Sequence, residues 1–313
     1  MSVQLYQGDC LELMKGIPDG SVDMVLADLP YGTMEKAGAG TDREVLKSCG
    51  WDKPLDTLAL FDAYTRTTKP CGKIVLFSME PLTSELITKH NAGVSFSQKA
   101  VWIKNVHGNP LSSKSALLSR FEDICIFQKD SYDRENGHPL RQYFLDEKKK
   151  CGLDNAGINR LLGTRSMASH YFTSGFQFVI PSLGNYQKLQ STGFFKKSYE
   201  EIKAIDRQWR ESRKQTFNLL DGENSKSNVF AYPKDRGSYH PTQKPVALLE
   251  YLIRTYTNEG ETVLDNCMGS GSTGVACVNT GRNFIGMELD PGYFETAKRR
   301  IEEAQEQLRI VAV

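Results

Sequence analysis

Four consecutive residues, Asp28-Leu29-Pro30-Tyr31, set a carboxylate, an imide and a phenol directly after an apolar run. Asp28 can accept from an N–H, Pro30 fixes the local backbone and leaves carbonyls free as acceptors, and Tyr31 can stack on a flat ring. That set suits an exocyclic amino group on a planar heterocycle, and equally a turn that buries a tyrosine. A second cluster, Asp265-Asn-Cys-Met-Gly269-Ser270-Gly271-Ser-Thr273-Gly274, lies between an apolar run and a helical pattern. Gly269 and Gly271 allow a backbone to approach a ligand closely. Glu288 follows the next apolar run, where an acidic residue commonly binds ribose hydroxyls. Together they fit an adenosyl-containing cofactor. The same glycines spell the dinucleotide fingerprint G-x-G-x-x-G, but only 39 residues follow Gly274, too few for the rest of a dinucleotide-binding half. A third motif, His240-Pro-Thr242-Gln-Lys244-Pro245, opens a helical pattern. Its imidazole, hydroxyl and ammonium groups could hold a carboxylate, or form no more than a polar helix start.

Strands and helices must position these groups. The runs 22–27 (VDMVLA), 74–78 (IVLFS), 100–103, 124–127, 262–264 and 283–287 predict strands. Between and after them, 58–67, 82–90, 246–256, 274–280 and 293–307 have helical spacing. Alternation of this kind implies an α/β, doubly wound, mostly parallel sheet covered on both faces. Asp28, Asp265 and Glu288 then fall at strand carboxyl ends, where open α/β sheets bind ligands. The pattern breaks between 130 and 228, which is polar, basic and aromatic-rich. There Ser198 and Glu201 predict a capped helix over 198–217, and Gly163 divides 154–172 into a helix-turn-helix pattern. Residues 1–129 and 229–313 are expected to complete one domain around the 130–228 insert.

Charge follows the same division. The 313 residues carry 39 Lys plus Arg and 38 Asp plus Glu, a formal net of +1, which by itself does not suggest a nucleic-acid binder. From Arg141 to Lys214, however, 14 basic residues face 7 acidic ones, a local net of +7, and the remainder carries −6. No apolar run approaches a membrane span, so no membrane partner is expected. The seven Cys are scattered and unpaired in spacing, which indicates neither a zinc site nor a disulfide framework. A reducing cytoplasm is the default. Pro70-Cys71 sits in a Lys-Pro-Cys-Gly turn and reads as a small loop cysteine rather than a nucleophile.

The chain resembles the DNA amino-methyltransferases, in the motif order of their β class. DLPYG at Asp28 is similar to the family's (D/N/S)PPY catalytic motif, and DNCMGSGST at Asp265 to its S-adenosylmethionine loop. GMELDPGYFETAKRRI resembles the ribose-binding strand and following helix, and HPTQKPVALLEYLI a further cofactor motif. Gly8-Asp9 matches an N-terminal segment whose Asp lies by the cofactor adenine. Leu29 replaces the first Pro of the catalytic motif, and Asn266-Cys267 a Pro-Phe pair. The resemblance implies a permuted methyltransferase fold with S-adenosylmethionine held by Asp9, His240, Lys244, Asp265, Gly269, Ser270, Gly271 and Glu288. It implies transfer of a methyl group to the N6 of an adenine flipped out of double-stranded DNA. Asp28 and the Leu29 carbonyl would each accept an amino N–H, and Tyr31 would stack on the base. An N4-cytosine enzyme remains open, as does a DNA-binding protein with a decayed catalytic site. Methylation of RNA or of a protein glutamine fits less well, since those enzymes place the cofactor loop first. A homodimer and a restriction endonuclease partner are compatible with the family. In the insert, Thr164–Phe172 would be a recognition helix presenting Arg165, Ser166, Ser169 and His170 to base edges, or one half of an ordinary helical hairpin. The stretch 33–50 is expected to form a loop closing over DNA, or an inert insertion.

Overall fold

Eight strands pair into one sheet in a computed structural model that describes residues 1–31, 54–105, 117–130, 137–173, 178–211, 214–235 and 243–311. They are β1 (Val3–Gln7), β2 (Val22–Asp28), β3 (Thr68–Ser78), β4 (Val94–Ile103), β5 (Phe121–Lys129), β6 (Val229–Ala231), β7 (Thr262–Asp265) and β8 (Asn283–Glu288). Their order is β1-β8-β7-β2-β3-β5-β4-β6. Every neighbouring pair is parallel except those made by β5, which is antiparallel to both β3 and β4. Helices α1 (Cys10–Met14), α2 (Thr57–Thr67) and α3 (Leu82–Thr88) fall in the first part of the chain. Five more follow: α4 (Leu140–Cys151), α5 (Asn155–Leu162), α6 (Met167–Tyr171), α7 (Leu183–Gln190) and α8 (Tyr199–Glu211). The last part holds α9 (Val246–Tyr256), α10 (Ser272–Thr280) and α11 (Pro291–Val311).

The α/β expectation holds, and the reason is visible in β2. Its apolar run alternates between two buried faces. Met24 and Leu26 pack under α9, α10 and α11 through Leu248, Leu252, Ala276 and Ile301. Val25 and Ala27 face α1 and α2 through Met14, Leu60, Phe61 and Tyr64. Burying such side chains contributes roughly 1.5–3 kcal/mol each. Asp23 ties strand starts together: its carboxylate accepts from Lys69 Nζ at 2.7 Å and from the Thr262 N–H at 2.9 Å.

Two strands escape the apolar-run reading, and they are the two sheet edges, β1 and β6. An edge strand buries little, so VQLYQ and VFA carry mostly exposed or half-buried residues. Two others start six residues earlier than expected. β4 begins at Val94 because Ser95 and Gln98 pair with Gln128 and Ile126 despite being polar. β3 begins at Thr68, and the Lys69-to-Gly72 turn becomes a bulge inside it: pairing jumps from Val22↔Thr68 to Met24↔Lys73. Cys71 sits in that bulge at φ 65°.

The chain divides into two compact units, one of Met1–Asp130 with Gln215–Val313 and one of Ser131–Lys214. Residues 215–228 go with the first because Asn218 donates its backbone N–H to the Thr255 carbonyl (2.8 Å) and its side-chain amide to the Thr257 carbonyl (3.0 Å). The second unit is helical, with its own core of Phe144, Ile158, Leu162, Tyr186, Phe195 and Ile202. The Ser198–Glu201 capping box forms as expected: the Ser198 N–H donates to Glu201 at 2.6 Å and the Glu201 N–H to Ser198 Oγ at 3.2 Å. The helix after it is shorter than 198–217, since described residues from 214 on are non-helical. The 154–172 pair also departs from the expected second helix over Thr164–Phe172. Asp154 caps α5, and Gly163 ends it at φ 71°. The next helix spans only Met167–Tyr171. Asn159 is the cause. Its Oδ1 accepts from Thr164 Oγ1 and the Ala168 N–H, and its Nδ2 donates to the Arg165 carbonyl, which holds residues 164–166 in a turn. Among the described residues no helix is long and apolar enough to cross a membrane.

Candidate active site

Adjacent strands β1, β8, β7 and β2 each deliver an acidic residue near their carboxyl ends: Asp9, Glu288, Asp265 and Asp28. Strand order turns back between β7 and β2, since β8 follows β7 on one side and β3 follows β2 on the other. Ligands bind open α/β sheets at such a point. A cavity of about 390 Å³ lies there, lined by Asp9, Asp28, Leu29, Pro30, Tyr31, Lys244, Asp265, Gly269, Ser270 and Glu288. Its size is within the range of small-molecule sites.

Burial shapes the acids. Asp265 is pushed up to about 7, mainly by burial and further by the nearby carboxylates Asp28 and Glu288, against hydrogen bonds from Thr273 and the Cys267 N–H. Burial also raises Glu288, although the N–H groups of Asp290 and Gly269 donate to its two oxygens at 2.8 and 2.9 Å. The Asp265 shift has a consequence for stability. A carboxyl whose folded value is raised binds more protons folded than unfolded between its two values, so stability falls as pH rises through that window. Stability is therefore expected to decline from about pH 4 to about 7 through Asp265. An Asp265→Asn protein should lack that part of the decline. Parallel thermal melts of ligand-free protein across the window measure it; identical slopes would contradict it.

Asp28 is held from two sides. Tyr31 donates its hydroxyl to Oδ1 at 2.8 Å, and Lys244 donates Nζ to Oδ2 at 2.5 Å. The strand geometry aims the group, because Asp28 is the last residue of β2 and pairs with Phe77 of β3. Motif reading leaves out the residues behind this grip. Glu122, at the start of β5, accepts from Lys244 at 3.1 Å and from the Tyr31 hydroxyl at 3.3 Å. Its other oxygen accepts from Lys104 at 3.0 Å. Burial drives Asp28 above the usual carboxylate range and Glu122 adds to this, while Lys244 opposes it. Burial would lift Glu122 too, but Lys244 and Lys104 bring it below its ordinary value. Lys244 is desolvated, yet the two carboxylates raise it. Tyr31 stays a phenol, raised by burial and by both acids. The one sign in the sequence was an acidic pair, Glu122-Asp123, opening a strand that is otherwise apolar.

The other expected residues sit in varied surroundings. Asp9 caps α1, accepting from the Leu11 and Glu12 N–H groups at 2.8 and 3.2 Å. Ser270 accepts from Arg300 of α11. Gly271, at φ 81°, is outside the cavity lining and packs on α11, where a Cβ would lie 2.8 Å from Ala297 Cβ. His240 and the stretch 33–50 lie outside the described residues. In the second unit Arg165, Ser166 and Ser169 are exposed and His170 is half-buried. Cys71 is six residues before Phe77, the partner of Asp28, and hence toward the other end of β3.

The chain is similar to known proteins over most of its length. The N6/N4 methyltransferase family model, described as DNA methylase, matches residues 22–299. The DNA adenine methyltransferase YhdJ of Escherichia coli (strain K12) is 36% identical over 96% of this chain and 83% of its own. The type II methyltransferase M2.MboI of Moraxella bovis is 25% identical over 96% of this chain and 87% of its own. Among solved structures, the M1.HpyAVI–SAM complex shares the fold at TM-score 0.53 and 20% identity, covering 96% of this chain and 99% of that one. The cytosine-N4-specific PvuII DNA methyltransferase does so at TM-score 0.52 and 13% identity, covering 98% and 93%. With a match that spans most of the chain and a sheet that sets its acids at one switch point, this protein belongs to the N6/N4 family of DNA methylases.

Proposed function

We propose that the protein transfers a methyl group from S-adenosylmethionine to the exocyclic N6 of an adenine turned out of double-stranded DNA. The observation that carries this reading is Asp28, a carboxylate at the cavity wall gripped by Tyr31 and Lys244. The cavity suits the cofactor. Asp9 and Glu288 offer acceptors for an adenine amino group and ribose hydroxyls, Gly269 and Ser270 present close backbone, and Leu11 and Leu289 add apolar surface. A cationic sulfonium is favoured by a wall that contains Asp28, Asp265 and Glu288 and whose Lys244 is already paired. When bound, the cofactor supplies an electrophilic methyl group.

The protein's part is alignment and charge. An aryl amine is a poor nucleophile because its lone pair is delocalised into the ring. Asp28 accepts one amino N–H and the Leu29 carbonyl the other, which favours a pyramidal nitrogen. Positive charge that develops on that nitrogen meets Asp28, an electrostatic stabilisation that is strongest in a dry site. Its raised proton affinity suits it to take the surplus proton. Adenine is preferred over cytosine because Asp stands at the first position of the motif, and the adenine-specific relative YhdJ is 36% identical. The basic second unit, with Arg165, Ser166, Ser169 and His170, is assigned to DNA contact.

Incubation with methyl-labelled cofactor and double-stranded DNA, followed by digestion to nucleosides, tests this. The label is expected in N6-methyladenine. Label in N4-methylcytosine would overturn the choice of base, and label in RNA or protein but not DNA would overturn the reading itself.

A further inference from the structure

We propose that Glu122 is a positioning residue for the reaction: from β5 it anchors both groups that hold Asp28, the Lys244 ammonium and the Tyr31 hydroxyl. The inference rests on the methyl transfer proposed above and adds a residue outside the motifs that carry the resemblance.

Asp28 and Glu122 share one lysine. Lys244 Nζ is 2.5 Å from Asp28 Oδ2 and 3.1 Å from Glu122 Oε2, with its side chain only 4% exposed. The Tyr31 hydroxyl divides in the same way, at 2.8 Å from Asp28 and 3.3 Å from Glu122. Glu122 is itself fixed by Lys104 at 3.0 Å, a pair in which both side chains are under 10% exposed. Four charges thus form a neutral set of two acids and two lysines, three of them buried and Asp28 half-buried at the cavity wall. Charges buried this way are costly unless each is paired and hydrogen-bonded, and here each is.

Sharing has a chemical effect. A buried lysine serving Asp28 alone would form a tight ion pair and make the carboxylate a weak acceptor. Glu122 draws part of that lysine away and places a second negative charge nearby, so Asp28 keeps its affinity for a proton. The remaining charged groups that face Asp28 are Asp265 from β7 and Lys234 after β6. They are unchanged by substitution at 122.

Glu122→Gln alone would strand Lys104 without its anion. The decisive protein is therefore Glu122→Gln with Lys104→Gln, which leaves one lysine for one carboxylate. Cofactor binding is expected to match wild type. The turnover rate should fall about 10- to 100-fold, the size of a lost hydrogen bond to a charged group. The acid limb of its pH profile should move to lower pH, because the like-charged neighbour that raises Asp28 is lost, while the Lys104 cation removed with it is bonded to Glu122 and not to Asp28. Carbon-13 NMR titration of the Asp28 carboxyl, assigned by its loss in Asp28→Asn, should move the same way with no substrate present. An unmoved limb and an unmoved titration would reduce Glu122 to a structural part and overturn the proposal, whatever happened to the rate. The titration needs no turnover. If it moves while wild-type protein labels no DNA, the proposed function fails and the coupling of Glu122 to Asp28 stands.

Discussion

Asp28→Asn is expected to lower the rate of methyl transfer about 1,000-fold while leaving cofactor affinity within a few-fold of wild type. The substitution keeps the shape of the side chain but replaces one acceptor oxygen with a donor. A carboxylate gripped by Tyr31 and Lys244 offers its remaining lone pairs to the base. An amide in the same grip would turn an N–H₂ toward either Lys244 or the amino group it should hold. It also carries no charge to meet the one that develops on nitrogen. Two readouts separate the effects: label transfer to DNA at saturating cofactor, and cofactor binding by calorimetry. Transfer within tenfold of wild type would remove Asp28 from the chemistry. Loss of transfer together with loss of cofactor binding would make it a wall of the cavity and nothing more.

The largest expected effect on stability comes from a glycine whose role is packing. Gly271 sits at φ 81°, and a Cβ there would lie 2.8 Å from Ala297 Cβ and 2.9 Å from Ala297 Cα. Gly271→Ala combines left-handed strain with overpacking, about 2–5 kcal/mol in total. For a chain of this size that lowers the melting temperature by roughly 5–15 °C. Gly260 provides the comparison. Its φ is 79° but a Cβ there meets nothing within 4 Å, so Gly260→Ala should cost only the strain, about 1–2 kcal/mol. Adding Ala297→Gly to Gly271→Ala should restore part of the loss, as coupling between touching residues requires. Equal losses at 260 and 271, with no recovery from Ala297→Gly, would show that the contact with α11 is unimportant.

Gly271 also shows how sequence and structure divide the information. A Gly-rich turn after a strand was legible, and so was its place beside a ligand cavity. Which glycine serves the cavity and which serves a helix contact depends on α11, whose approach no local pattern encodes. Strand ends were legible for a similar reason. Asp28, Asp265 and Glu288 each follow an apolar run, and a run buried on both faces announces itself. The helix over Val246–Tyr256 has both ends where its spacing puts them. Edge strands β1 and β6 were not legible, since their burial is too slight to leave an apolar run. Glu122 and Lys104 were hidden more deeply. A charged residue at a strand end is ordinarily solvated, and only the convergence of β5, β4 and the segment before α9 turns these two into a pair that reaches Asp28 through Lys244. In the insert, the helix and its cap were legible at Ser198, while the fate of residues 164–166 turned on a single amide, Asn159.

The order β1-β8-β7-β2 has one more consequence, and it concerns how the chain is made. β1 has one strand neighbour in the sheet, β8, and Val3 pairs with Phe284. The pairing of Met24 with Val263 likewise closes a loop that contains the whole Ser131–Lys214 unit. Neither contact exists until Val263 and Phe284 have left the ribosome. Until then β1 has no partner and β2 has one open side, so the nascent chain exposes strand edges that can pair wrongly with other chains. The helical unit, built from contacts close in sequence, can fold meanwhile. The sheet waits for Thr262–Glu288, and synthesis that stalls before that stretch leaves a ready-made seed for aggregation.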